Sequence, residues 1–151
     1  MASRKIEDLA PDFQPTIIMF EDHLAREGLS HFKRCCTYRS QAEQSALWAQ
    51  GRKSLRDVND IRKATGMAPI TQKQNKKVTW TLSSDHTKRI AVDYYIEQDG
   101  KYCDDLKVDV NKNAIADWLE FGAIAERCGL DWGGSWVKKD YPHVGKKRQG
   151  G

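Results

Sequence analysis

The chain has 151 residues, 30% of them charged and 39% hydrophobic, an ordinary balance for one domain with a real core and too short for two comfortable ones. No apolar run approaches the roughly 20 residues of a membrane span, and the N-terminus, MASRKIEDLAPDF, lacks the apolar stretch of a signal peptide, so a soluble chain made in the cytoplasm is expected. The net charge of +4 suits an anionic partner without requiring one.

Residues 1–14 read as a loose arm. Ile17, Phe20 and Leu24 then recur at helical spacing, and Gly28 supplies a stop. His23 beside this stripe and His31 after it are expected to be surface or structural histidines. Residues 32–38 read as a short strand, on which Cys35 and Cys36 point to opposite faces; with no C-x2-C pair among four cysteines, reduced thiols fit better than a metal site. Ser40 with Glu43 fits a capping box opening a helix that ends at Gly51. Arg39 therefore stands at a strand-to-helix junction, from which a guanidinium either reaches into a cleft or makes an ordinary salt bridge. Ser54 with Asp57 opens a second short helix, closed by Gly66 and Pro69, and a polar, basic loop follows.

The stretch 78–95, VTWTLSSDHTKRIAVDYY, carries chemistry. Residues 78–82 read as a strand and Ser83 and Ser84 as a turn. Residues 90–96 read as a strand with Ile90, Val92, Tyr94 and Ile96 on one face and Ala91, Asp93 and Tyr95 on the other. His86 and Asp93, spaced H-x6-D, thus read as half of a zinc site, the His sitting in a loop that folds back over the Asp93 face. A catalytic zinc takes three protein ligands, and the third is sought in Asp140-Tyr141-Pro142-His143. Gly100 marks a turn, 106–110 alternates like an edge strand, and Asn113 opens the longest helix, with Ile115, Trp118, Leu119 and Ile124 inward and Gly129 as its stop. The remainder, LDWGGSWVKKDYPHVG, reads as loop, with 145–151 a loose end.

In several ordered places the chain resembles the zinc D-Ala-D-Ala carboxypeptidase and L-alanyl-D-glutamate peptidase family (peptidase family M15), to which many phage endolysins belong. These places are Tyr38-Arg39-Ser40 with Gln44 and Ala49-Gln50-Gly51-Arg52, then Val78-Thr79-Trp80, Ser84-x-His86 and Ala91-Val92-Asp93. They end with Gly129-Leu130-x-Trp132-Gly133-Gly134-x-Trp136 and Asp140-x-Pro142-His143. By position in those motifs, the resemblance implies one Zn2+ per chain held by His86, Asp93 and His143, with Asp140 as the catalytic carboxylate and Arg39 as the cation beside the substrate. It also implies an α+β fold of the Hedgehog/DD-peptidase type, a small, mainly antiparallel central sheet with helices packed on one side.

Two departures stand out: Lys88, Arg89 and Ile90 where the family usually has a Gly, which predicts a different backbone or one that avoids positive φ, and a longer segment, 53–77, expected as an inserted lid in a single 1–151 domain. The chemistry is coherent. Zinc on two imidazoles and a carboxylate acidifies water and polarises a carbonyl, a nearby carboxylate moves protons, and a planar guanidinium grips a carboxylate or oxyanion. Trp80, Trp132 and Trp136 are expected to wall a peptide cleft or to pack, and Lys88, Arg89, Lys138 and Lys139 to attract an anionic wall. The expected function is hydrolysis of the peptidoglycan peptide stem by an endolysin-type L-alanyl-D-glutamate endopeptidase. It would act as a monomer, with a holin-type membrane partner for release to the cell wall and without nucleic acid or membrane insertion. The alternatives are a D,D-carboxypeptidase or dipeptidase of the same family and a non-catalytic wall-binding module.

Overall fold

Residues 2–147, which the computed structural model describes, run α1 (Gln14–Arg26), β1 (Phe32–Cys36), α2 (Gln41–Ala49), α3 (Leu55–Ala64), β2 (Ala91–Gln98), β3 (Lys101–Cys103), α4 (Asp117–Arg127), β4 (Leu130–Trp132) and β5 (His143–Lys146). Every strand pairing is antiparallel: β2 pairs with β1, β3 and β5, and β5 with β4. This is the α+β architecture expected from the sequence. Among the described residues no helix is long and apolar enough to cross a membrane.

β2 holds the centre because its alternation serves two faces. Val92, Tyr94 and Ile96 are buried among helix residues, while Asp93 and Tyr95 look out from the other face. The helices that cover the buried face are α1, through Ile17, Phe20 and Leu24, and α4, through Trp118, Phe121, Ile124 and Ala125. Phe121 is the hub, its ring 5.2 Å from Phe20, 4.7 Å from Phe32, 5.1 Å from Trp118 and 5.4 Å from Tyr94. The buried Tyr94 hydroxyl donates to Glu21 at 2.9 Å, and Arg34 pairs with the same carboxylate at 3.2 Å, tying α1 to the sheet. Burial and then the Glu21 charge raise the Tyr94 phenol well above its ordinary value.

Several local expectations are corrected. The arm expected to be loose is packed from residue 3 on: Leu9 and Phe13, 2% exposed, extend the stripe of α1 backward at spacing i, i+4, and Ser3 pairs with the chain at Tyr38 and Thr37. Residues 78–82 form no strand, because side chains take their carbonyls: Gln44 donates to Thr81 O at 2.7 Å and Arg52 to Thr79 O at 3.1 Å. The edge strand lies at 101–103, after the positive-φ turn Asp99-Gly100, and not at 106–110, where Asp105 and Asp109 accept backbone N–H groups and curl the chain. α4 starts at Asp117 with Ile115 and Leu119 exposed, and the 13-residue α1 is longer than the 11-residue α4. The C-terminal stretch supplies β4 and β5, so 145–146 belong to the sheet; 148–151 lie outside the described residues.

Candidate active site

The open face of β2 carries the site. Asp93 lies opposite His143 in the antiparallel β2–β5 register, so both side chains stand on one face while neighbouring Val92 and Val144 go to the core. His86 arrives from a turn wound on Ser84, whose hydroxyl accepts the His86 N–H at 3.2 Å and whose carbonyl accepts from Thr87 Oγ1 at 2.6 Å. The His86 carbonyl also takes the Arg39 N–H at 3.4 Å, which links this turn to the end of β1. Against expectation, the turn does use a positive φ, +65° at Arg89. The Arg89 guanidinium stacks 3.8 Å from the centre of the Tyr38 ring and donates to Asp8 O at 2.8 Å, contacts a glycine would lack.

The three residues meet. His86 Nε2 is 3.2 Å from one Asp93 oxygen, His143 Nδ1 is 3.2 Å from the other, and the two imidazole rings are nearly perpendicular at 5.3 Å. Burial pushes the Asp93 carboxyl up, but hydrogen bonds with His143 and His86 outweigh it and hold the group well below the usual carboxylate range. Burial pulls His143 down, while its bond to Asp93 and then the Asp93 charge lift it above its ordinary value. Two nitrogens and one oxygen with ligand atoms within 4.8 Å of one another form a set that can hold a metal ion. The two imidazoles face different oxygens of the Asp93 carboxylate, and two imidazole nitrogens with one carboxylate oxygen are donors that zinc takes, so the donor set fits zinc.

This cluster lies in an open cleft of about 630 Å³, whose lining also includes Arg39, Val78, Thr79, Thr81, Trp136 and Asp140. Asp140 is held by its loop: its N–H donates to Gly133 O at 2.9 Å, and its carbonyl accepts the His143 N–H at 3.2 Å. Any side chain on Gly133 would collide with that carbonyl, and Gly122 and Gly134 both lie against the Trp132 indole. The indole N–H donates to Tyr141 O at 2.9 Å, so Trp132 packs and positions the loop instead of walling the cleft. Burial and then the Asp93 charge raise the Asp140 carboxyl, with His143 and His86 pulling back.

Arg39 lines the cleft from the junction of β1 and α2. Its guanidinium donates to Gln44 Oε1 at 2.9 Å and lies 3.8 Å from Cys36 Sγ, which leaves donors for the cleft. Gln44, fully buried, is a site residue whose role sequence reasoning missed; it also donates to Thr79 Oγ1 at 3.1 Å and so binds α2, Arg39 and the cleft rim together. An amide inside an apolar helix stripe was the available signal. Trp136 lines the cleft 4.9 Å from the His143 ring, whereas Trp80 is 58% exposed under Lys138 Nζ. Segment 53–77, expected as an inserted lid, does not line this cleft: α3 packs on α2, and Asn75 accepts the Gly51 N–H at 2.7 Å.

Residues 77–146, which include His86, Asp93, Asp140 and His143, match the M15 peptidase family model described as D-alanyl-D-alanine carboxypeptidase. The peptidoglycan L-alanyl-D-glutamate endopeptidase CwlK of Bacillus subtilis is 32% identical over 111 residues, 71% of this chain and 55% of CwlK; the chain thus spans about half the length of that relative. The solved structure of the Serratia marcescens L-Ala D-Glu endopeptidase ChiX has the same fold, with a TM-score of 0.54 at 21% identity over 97% of this chain and 89% of ChiX. Motif order, the His86, Asp93 and His143 cluster and the fold agree, and over residues 77–146 the chain is similar to the M15 peptidases.

Proposed function

We propose that this chain is a zinc peptidase that cuts the peptide stem of bacterial peptidoglycan at the L-alanyl-D-glutamate bond, as an endolysin working in host-cell lysis. The observation that carries the reading is the His86, Asp93 and His143 cluster in a cleft that also exposes Asp140 and Arg39. The name of the CwlK relative supports the choice of bond.

Zinc held by His86, Asp93 and His143 supplies the Lewis acidity that amide hydrolysis uses. Asp140, its carboxyl raised by burial and by Asp93, takes a proton from the attacking water and returns it to the leaving amine, work typically worth about 10²–10⁴-fold. Arg39 offers its remaining donors to a stem carboxylate or to the developing oxyanion, held at the right angle by Gln44. The cleft is open enough to admit an extended peptide, and Trp136 gives its wall an apolar surface. The enzyme acts as a monomeric single domain on the wall after a separate holin-type partner permeabilises the membrane.

Digestion of purified sacculi, with the new termini identified by mass spectrometry, tests the reading. New L-alanine C-termini paired with D-glutamate N-termini are expected. Release of a terminal D-alanine would move the assignment to the D,D-carboxypeptidase that the family description names. Binding to sacculi without new termini would reduce the protein to a wall-binding module.

A further inference from the structure

The loop between β3 and α4 gathers a second cluster of side-chain oxygens, among residues that do not line the cleft. Asp109, Asn111, Asn113, Asp117 and Glu120 stand at positions 1, 3, 5, 9 and 12 of a twelve-residue stretch, DVNKNAIADWLE. That spacing is the calcium loop of EF-hand type, D-x-[DN]-x-[DN]-G-x5-E, with one departure: Ala114 occupies the sixth position, where glycine makes the sharp turn. The turn is made all the same, since Ala114 has a φ of +69°.

The fold brings these residues together as the spacing requires. Carboxylate oxygens of Asp109, Asp117 and Glu120 lie within 4.8 Å of one another. Asp109 accepts the N–H of Asn113 at 3.2 Å and of Ala114 at 2.8 Å, so the loop closes around its first carboxylate. An independent observation points to a cation: Asp117 is 0% exposed. Its Oδ2 bonds His31 Nε2 at 2.8 Å and accepts the Val110 N–H at 3.0 Å, while its Oδ1 is buried with no hydrogen-bond partner. Asn111 Oδ1 is likewise enclosed and unpartnered. Buried oxygens without a donor are costly and rare, and two in one acidic loop call for a cation.

We propose that loop 109–120 binds one calcium ion through side-chain oxygens of Asp109, Asn111, Asn113, Asp117 and Glu120 and the backbone carbonyl of Ile115, the seventh position. An all-oxygen set with three carboxylates selects a hard cation, and the number of donors in a flexible loop selects calcium over magnesium and zinc. The ion ties together the junction before β1, through His31, and the first turn of α4, which carries the core hub Phe121. Its effect is on stability and not on hydrolysis, so the proposal stands or falls apart from the peptidase reading.

The test titrates calcium chloride into the full chain after chelator stripping, by calorimetry and thermal denaturation. One site is expected, with Kd between about 10⁻⁷ and 10⁻³ M, and Tm should rise by about 5–10 °C at a hundredfold excess over Kd. Glu120→Gln should weaken binding at least tenfold, with Asn113→Ala as the second variant if Glu120→Gln does not fold; His143→Ala should bind calcium as the parent does. The proposal is overturned if the natively folded chain gives neither heat nor a Tm shift at about 10 mM calcium. It is equally overturned if binding survives both loop variants or is lost in His143→Ala.

Discussion

Replacing Gln44 by Leu tests how the site is held. The side chain is fully buried and makes three hydrogen bonds: it accepts from Arg39 at 2.9 Å and donates to Thr79 Oγ1 at 3.1 Å and Thr81 O at 2.7 Å. Leucine keeps most of the volume and removes all three. Two neutral bonds at about 1 kcal/mol each and one to a charged group at about 1.5–3 kcal/mol predict a loss of about 3.5–5 kcal/mol, or roughly 10–15 °C in Tm for a chain of this size. Freed of its acceptor, the Arg39 guanidinium no longer holds one orientation, and kcat/KM on a stem peptide should fall about 10–100-fold, the scale of one misplaced charged contact. Zinc content should not change, because Gln44 touches none of the three ligands. The decisive assay is a double-mutant cycle with Arg39→Ala. If Gln44 acts through Arg39, then Gln44→Leu in the Arg39→Ala background lowers kcat/KM no further. Fully additive losses, or a Gln44→Leu enzyme with normal turnover, would refute the positioning argument.

His86→Ala, Asp93→Ala and His143→Ala should each lower bound zinc and cleavage together, measured by elemental analysis and sacculus digestion; full occupancy in all three variants would remove the metal assignment. Asp140→Asn should keep zinc and Tm while cleavage falls by about 10²–10⁴, and zinc lost in proportion to activity would instead make Asp140 a ligand or its support. Phe121→Ala should destabilise the fold by about 3–5 kcal/mol in denaturant unfolding with zinc affinity unchanged, and a loss under about 1 kcal/mol would contradict its place at the centre of the aromatic cluster.

Periodicity and caps carried much of the local structure. The Ile17, Phe20 and Leu24 stripe, the alternation of β2 and the N-caps Ser40 and Ser54 are all present, because each depends on neighbours within a turn or on one face of one strand. The motifs likewise singled out His86, Asp93, Asp140 and His143, and the fold brings all four to one cleft. Only the tertiary structure decided what residues 78–82 do. Alone they alternate like a strand, but with no neighbouring strand their carbonyls go to Gln44 and Arg52, and the segment becomes a wall of the cleft. The arm 1–14 differs for the same reason: Leu9 and Phe13 are unremarkable until α1 and the sheet give them a surface to bury against. Asp93 and His143, 50 residues apart, become a pair only through the β2–β5 register, and register is set by which face meets the core, a property no single stretch of sequence contains.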